Sequence, residues 1–144
     1  MTHHDGWFQH RIDIQTQGRG SIEITDDCQH QVADSAVRTG LCHVFIQHTS
    51  ASLMICENAD PEVLRDLEYF MSRMVPDGDP GYRHSAEGSD DMAAHIRTVL
   101  TSSSLNLPIQ NGRLALGVWQ GIYLWEHRTK SHRRQVLVTV QGGR

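Results

Sequence analysis

The sequence predicts an α+β fold, in which helices pack on one side of a largely antiparallel sheet. Short segments rich in alternating or β-branched apolar residues cluster near both ends of the chain. Segments in its middle instead repeat their apolar residues at helical spacing. Asn111-Gly112 lies between two apolar segments and is typical of a two-residue hairpin turn, because both residues tolerate positive φ. These patterns predict roughly eight strands and three helices, in one domain that spans residues 1–144.

The first third of the chain should contain strands at residues 7–15 and 21–24. The glycine-rich link between them predicts a hairpin. A first helix is expected from Thr25 or Asp26, either of which can cap it, to about residue 38, with Gly40 as its stop. Strands at 41–47 and 51–56 follow. Their link is short and polar, so they form either a tight hairpin or one long bent strand.

The second helix should begin at Asp60-Pro61, since aspartate is a good cap and proline is tolerated at the first helical position. Its expected core-facing stripe consists of Val63, Leu64, Leu67, Phe70, Met71 and Met74. A turn-rich loop follows at 76–81, and residues 82–97 lead into the third helix. Further strands are predicted at 105–109, 113–117, 119–126 and 135–140.

Composition narrows the class of protein. The net charge of −4 argues against non-specific nucleic-acid binding. The sequence has neither an apolar run near 18 residues nor a signal-peptide pattern at its start. Its three cysteines are odd in number and lack C-x-x-C spacing, which indicates reduced thiols. We therefore expect a cytoplasmic protein that binds neither nucleic acid nor membranes.

The segment at residues 82–97 concentrates ionisable side chains where a loop enters the third helix. His84 lies in the loop, and His95 shares a helix face with Asp91, four residues earlier. His48 follows a strand. Three histidines with one open position are the usual catalytic zinc arrangement, although this spacing matches no metal signature, and surface or hydrogen-bonded histidines remain the alternative. Asp90 is expected to cap the helix, and Asp91 to support a histidine.

Anion binding is a second possible chemistry. Thr49 and Ser50 offer hydroxyl and backbone N–H groups. Basic residues near the candidate segments in sequence are Arg83, Arg97, Arg128, Lys130, Arg133 and Arg134. The sequence contains no P-loop, no G-x-G-x-x-G before a helix and no G-x-S-x-G, which excludes those nucleotide and hydrolase motifs.

Five ordered segments together resemble a known family. They are H-T-S-A-S-L (48–53), E-N-A-D (57–60), Y-R-H-S-A-E-G-S-D-D-M-A-A-H-I (82–96), N-G-R-L-A-L-G (111–117) and W-Q-G-I-Y-L-W-E-H-R (119–128). The chain is similar to the YjbQ family, also called UPF0047, over nearly its whole length. The resemblance implies a curved mixed sheet and a homotrimer. It also implies a secondary thiamine-phosphate synthase activity, which joins a hydroxymethylpyrimidine diphosphate to a thiazole phosphate.

The resemblance further implies a single pocket for a small phosphorylated substrate. Its expected members are His48, Thr49, Ser50, Glu57, His84, Glu87, Asp91, His95, Trp119, Gln120 and Glu126. The three histidines, 48, 84 and 95, would hold a divalent ion, zinc or magnesium, or contact phosphate directly. His84, His95 and Glu87 would act in catalysis, with Glu87 orienting a histidine or a water.

The rest of this expected pocket would hold the substrate. Thr49, Ser50 and either Arg133 or Arg134 would contact the diphosphate, and Trp119 would stack on the pyrimidine, beside Gln120. Two other functions stay open: a metal-dependent hydrolase with a three-histidine site, and a non-catalytic binder of small molecules or phosphate.

Overall fold

The computed structural model describes residues 2–144, with side chains from residue 5 onward. Its elements confirm the α+β prediction. In chain order they are β1 (Thr2–His4), β2 (Trp7–Gln15), β3 (Gly20–Glu23), α1 (Thr25–Ser35), β4 (Thr39–Ile46), β5 (Ala51–Glu57), α2 (Pro61–Met74), α3 (Asp91–Leu100), β6 (Ser104–Gln110), β7 (Arg113–Leu114), β8 (Gln120–Glu126) and β9 (Arg133–Gly143). No helix in residues 2–144 is long and apolar enough to cross a membrane.

The strands of residues 2–144 form two antiparallel sheets. The larger has the order β1-β2-β9-β4-β6-β7, and the smaller has the order β3-β8-β5. One core cluster lies between them and also contains α1 residues, such as Val32 beside Val138 and Leu124. A second cluster joins Trp125 of β8 to Met71 of α2 and Ala93 of α3. Since alternate residues of a strand face opposite sides, the smaller sheet lies between the larger sheet and these two helices.

The predicted hairpin between β2 and β3 is wrong. β2 pairs with β1 and β9, whereas β3 pairs with β8 in the other sheet. The glycine-rich link carries the chain from one sheet to the other. Gly18 is required there: its φ is +109°, and a Cβ atom would lie 2.7 Å from the carbonyl oxygen of Thr129. The link between β4 and β5 also joins the two sheets, so these strands form no hairpin either.

Two helix predictions need correction. α1 ends at Ser35, followed by Ala36 in the left-handed region, and Gly40 lies in β4. Neither Thr25 nor Asp26 caps α1, because its N-cap position is Ile24. α2 begins as expected, with the Asp60 side chain accepting from the Glu62 N–H.

The apolar stripe of α2 is only partly buried. Met71 is buried and Leu67 packs against the second core cluster. Phe70 and Met74 remain 60% and 50% exposed. The helical periodicity was therefore predicted correctly, but a large part of the stripe faces away from the core.

The register of β5 and β8 separates two groups of predicted site residues. Ala51 pairs with Glu126 at one end, and Glu57 pairs with Gln120 at the other. Six residues of extended chain span about 20 Å. Side chains that follow the two ends are therefore far apart within one chain.

Candidate functional site

Three ionisable side chains meet where the loop after α2 enters α3. Asp91, the first residue of α3, is buried, and its Oδ2 lies 2.7 Å from Nε2 of His84 and 3.2 Å from Nε2 of His95. One potential ligand atom from each residue lies within 4.8 Å of the other two. His95 reaches Asp91 because it lies one helical turn further along the same face. The predicted proximity of His84 and His95 is thus present in the structure.

The hydrogen bonds of His95 determine the direction of its free lone pair. Its Nδ1 lies 2.9 Å from the carbonyl oxygen of Thr49. A carbonyl oxygen only accepts, so Nδ1 must carry the hydrogen, and in neutral imidazole Nε2 is then an acceptor. That lone pair faces the Asp91 carboxylate oxygen. In the neutral form two acceptors therefore oppose each other, whereas a proton on Nε2 gives an ion pair with Asp91, and a cation between the two groups would also make the contact attractive.

The donor set fits a divalent transition metal. A histidine that binds metal commonly donates its other ring N–H to a backbone carbonyl, as His95 does to Thr49. Zinc bonds near 2 Å place neighbouring ligand atoms about 3.4 Å apart, and the three potential ligand atoms here lie within 4.8 Å of one another. Two imidazole nitrogens and one carboxylate suit zinc better than magnesium, which prefers oxygen ligands.

Arg128 fixes the acidic start of α3. Its Nη1 lies 2.9 Å from Oδ1 of Asp91, its Nε donates to Asp90 and its Nη2 donates to the carbonyl of Glu87. Burial alone would raise the pKa of Asp91, but the His84 hydrogen bond and the Arg128 charge outweigh it and lower that pKa. Asp91 therefore stays a carboxylate, as a metal ligand requires.

Asp90 does not cap α3 with its side chain. It occupies the N-cap position, but its carboxylate accepts from Arg128 Nε and the Thr129 N–H. Burial opposes ionisation of this carboxyl, and the hydrogen bond from Arg128 together with that from Thr129 lowers its pKa well below the ordinary range. The capping interpretation is wrong, because a partner distant in sequence takes the carboxylate.

His48 does not join the cluster, which contains Asp91 in its place. The Nε2 of His48 accepts from the backbone N–H of Gln135 at 2.7 Å, so this lone pair is already used. Partial burial and the charge of Arg134 lower the pKa of His48. The structure therefore groups His84 and His95 with Asp91 and not with His48.

The arginines predicted to contact phosphate have other partners. Arg134 is buried, and its guanidinium donates to Glu126 and to Ser50. Its neighbour Arg133 points to the opposite face of β9 and pairs with Asp13 at 2.7 Å. Of the proposed phosphate contacts, Thr49 is exposed, and its hydroxyl has no hydrogen bond to a described residue.

The remaining basic candidates divide in the same way. Arg97 is fully buried beside Glu68, and Arg128 is held by the acidic start of α3. Arg83 and Lys130 are exposed. Within this group, then, the free cationic side chains lie at the surface.

Other predicted pocket members lie away from the cluster. Trp119 is 62% exposed, Gln120 accepts from the Gly117 N–H and Glu57 accepts from the N–H groups of residues 59 and 60. All three are at the far end of β5 and β8, about 20 Å from the Ala51 end by strand length. Glu87 is exposed in the loop before α3 and meets Arg128 through its backbone carbonyl. A single chain therefore divides the expected pocket in two.

Asp91 and Arg128 have a more central place in the site than the sequence predicted. Asp91 was expected to support a histidine, yet it lies at the centre of the cluster. Its spacing of four from His95 was the signal that could have identified it as a third ligand. Arg128 was grouped with residues that bind anions, and no local pattern predicts its contacts with Asp90 and Asp91.

Comparisons with known proteins agree on one family. Residues 10–143 match the family model described as UPF0047 protein YjbQ-like. A UPF0047 protein of Synechocystis sp. is 55% identical over 129 residues, which cover 90% of this chain and 88% of that protein. The UPF0047 protein YjbQ of Escherichia coli O157:H7 is 44% identical over 137 residues, 94% and 99% of the two chains.

Solved structures give the same result for the fold. A conserved protein of the YjbQ/UPF0047 family from Clostridium acetobutylicum superposes with a TM-score of 0.84 at 36% identity, covering 91% of this chain and 98% of that one. The conserved hypothetical protein TT1486 from Thermus thermophilus superposes with a TM-score of 0.81 at 33% identity, covering 90% and 97%.

Proposed function

The chain belongs to the YjbQ family, described as UPF0047 protein YjbQ-like, and from this premise we propose that it is a metal-dependent enzyme acting on a small phosphorylated substrate. His84, Asp91 and His95 hold a divalent cation, with zinc as the best fit to the donors. One observation carries the proposal: one potential ligand atom from each of His84, Asp91 and His95 lies within 4.8 Å of the other two. A cation held by these three atoms would stabilise negative charge on phosphate oxygens when bound.

The reaction we propose first is the thiamine-phosphate synthase condensation. The thiazole nitrogen attacks the methylene carbon of the pyrimidine diphosphate, the carbon–oxygen bond breaks and diphosphate leaves with the electron pair. Thr49 supports this reaction in two ways. Its carbonyl oxygen orients His95, and its exposed hydroxyl, on the same residue, would contact the diphosphate. Charge stabilisation and alignment of the two substrates are the main demands of the step. Arg134 takes no part, since Glu126 and Ser50 hold it.

Hydrolysis of a small phosphate ester is the second candidate. The cleft beside His84 has a volume of about 300 Å³, at the lower end for ligand sites. It accommodates one small substrate more readily than two. In this reaction water attacks the phosphorus, and Glu87, an exposed carboxylate three residues after His84, accepts its proton. The ester P–O bond breaks, and the departing alcohol oxygen takes up that proton.

We also propose that the protein is a cytoplasmic homotrimer. A closed ring needs two different contact patches on each subunit. Phe70 and Met74 on α2 and Trp119 before β8 are exposed apolar residues on separate elements. A neighbour's Trp119 end placed against the cluster would reunite the two halves of the expected pocket. Sedimentation equilibrium tests this assembly: a mass three times that of the chain supports it, and a monomer contradicts it.

Elemental analysis of the purified protein tests the metal site. We expect about one zinc per chain, lost in His95→Ala and in His84→Ala. His30→Ala is the matched control, because His30 is exposed on α1, outside the cluster. His48→Ala should also retain the metal. Unchanged metal content in both cluster variants, with circular dichroism of the folded protein preserved, overturns the site.

Activity is tested separately from metal content. Expression in a strain that lacks its thiamine-phosphate synthase should restore growth without thiamine, and His95→Ala should abolish that growth. Failure at high expression rejects the condensation while leaving the metal site intact. Phosphate release from a panel of small esters and diphosphates then tests hydrolysis. Absence of release from every compound rejects hydrolysis, and together with failed complementation it leaves the protein as a binder.

A further inference from the structure

A cleft opens beside the metal-binding cluster, between the loop at residues 78–89 and the start of α3. His84 lines it, and the Nε2 of the same histidine lies 2.7 Å from Asp91. A molecule in the cleft would therefore lie next to the proposed reaction centre. The volume of about 300 Å³ accommodates a single ring with small substituents.

The walls of this cleft are suited to a ring. Pro80, Tyr82 and Met92 contribute apolar surface. An aromatic side chain and a polarisable thioether both make favourable contacts with aromatic ligands. The proposed phosphate contacts, in contrast, require positive charge or hydrogen-bond donors, which the cation proposed at the cluster would supply.

The charge of the residues that line the cleft also favours a ring over a phosphate group. Asp79 is the carboxylate in the lining, and no lysine or arginine among the described residues contributes to it. A phosphate placed here would face a negative charge without a compensating cation. A positively charged or donor-bearing group would instead donate a charge-assisted hydrogen bond to the Asp79 carboxylate.

The loop holds Asp79 in place. Its Oδ1 accepts from the Gly81 N–H at 2.8 Å, and its backbone carbonyl accepts from the Tyr82 N–H at 3.0 Å. The Gly78 N–H donates to the carbonyl of Ser89, which closes the base of the loop. The Oδ2 of Asp79 makes no hydrogen bond with the described residues, so it is available to a ligand.

We propose that this cleft is the subsite for the organic half of the substrate, and that Asp79 makes it select a ring carrying a positive charge or hydrogen-bond donors. The inference rests on the proposed function, because it assigns the phosphate to the neighbouring cluster. It adds a specificity-determining residue outside the metal ligands. Small aromatic rings with a cationic or donor-bearing substituent are the substrate class that combines these features.

Three probes of nearly the same shape test the charge preference: benzamidine, benzamide and benzoate, which are cationic, neutral and anionic. Binding is measured by titration of the Met92 methyl signal in NMR spectra, with EDTA present so that no cation contributes. We expect benzamidine to bind most tightly and benzoate most weakly. Asp79→Asn keeps an oxygen that can accept from Gly81 and should lower benzamidine affinity about tenfold, close to that of benzamide.

The matched control is Asp66→Asn, which removes the same charge from the exposed side of α2, where Asp66 makes no side-chain hydrogen bond or ion pair with the described residues. Its probe affinities should equal those of the wild type. Equal binding of the three probes, tightest binding of benzoate, an unchanged Asp79→Asn variant or a Met92 signal that never moves would each overturn the subsite. Because EDTA is present, the expected ranking supports the subsite even if zinc analysis rejects the metal centre.

Discussion

Two groups of charged residues at the same end of the smaller sheet differ in how their polar atoms are satisfied. The closed network lies inside the protein: Glu126 is fully buried and accepts from Arg134, from the Thr16 hydroxyl at 2.7 Å and from the Arg128 N–H at 3.1 Å. The open cluster of His84, Asp91 and His95 lies at the surface. Its histidine side chains are 47% and 31% exposed, and both contact the Asp91 carboxylate.

The difference separates a structural role from a ligand-binding one. Burial alone would raise the pKa of Glu126, but the hydrogen bonds from Arg134 and Thr16 outweigh it and lower that pKa. The closed network therefore contains its own counter-charge and needs no ligand. The open cluster instead places two part-exposed imidazoles around one buried carboxylate, and the proposed cation site rests on this arrangement.

Breaking the closed network should produce the largest effect. Arg134→Met removes the partner of a fully buried carboxylate, and loss of one member of a buried ion pair costs about 3–5 kcal/mol. Urea denaturation at neutral pH measures the loss. The double variant Arg134→Met/Glu126→Leu should recover part of it, because no charge is then left unpaired. A single variant within about 1 kcal/mol of the wild type would show that the network is not structural.

The histidines offer a second, smaller contrast. His127 follows Glu126, is fully buried and has its Nε2 2.8 Å from the Ser52 hydroxyl. Burial and then the Arg97 charge lower its pKa to about 3. Between about pH 6.5 and 3 the unfolded chain therefore binds more protons at this residue than the folded protein. Protonation of His127 therefore does not affect the free energy of unfolding above pH 6.5, and it lowers that free energy as the pH falls below 6.5.

His127→Gln tests that pH dependence. The free energy of unfolding is measured from pH 7 to pH 5 for the wild type and the variant. Below pH 6.5 the wild type should lose up to about 1.4 kcal/mol more per pH unit than the variant, which has no imidazole to protonate. Taking the difference between the two proteins removes the contribution of the other histidines, His48 included. Parallel curves for the two proteins would contradict a buried neutral His127.

Local patterns predicted those parts of the fold that depend on neighbouring residues. Asn111-Gly112 forms the expected turn between β6 and β7, with positive φ at both positions, and Asp60 caps α2. The partner of β3 was not predictable in this way, since β8 lies about a hundred residues away and the glycine link is compatible with either sheet. The exposure of the apolar face of α2 was not predicted, because periodicity identifies the apolar side of a helix but not whether another element covers that side.

The candidate site shows the same limit. His84 and His95 were identified because they lie close in sequence to the start of α3. His48 was grouped with them, but pairing of β4 with β9 places its Nε2 against the Gln135 N–H. Strand alternation predicted that Arg133 and Arg134 face opposite sides. Which of them faces inward depends on the packing of β9 into the core, where Val136 and Val138 share the face of Arg134.

Substitution of Arg133 gives the smallest predicted effect. It is also the best-matched control for Arg134→Met, which gives the largest. Arg133→Met makes the same change one residue away, but the Arg133 side chain is 70% exposed and its partner Asp13 is 40% exposed. Hydrogen bonding to Arg133 lowers the pKa of Asp13, yet solvent and salt screen an exposed pair. The urea midpoint of Arg133→Met should therefore equal that of the wild type within error, at low and at high salt. A loss comparable to that of Arg134→Met would mean that removing any arginine from β9 destabilises the protein, and burial would no longer explain the difference.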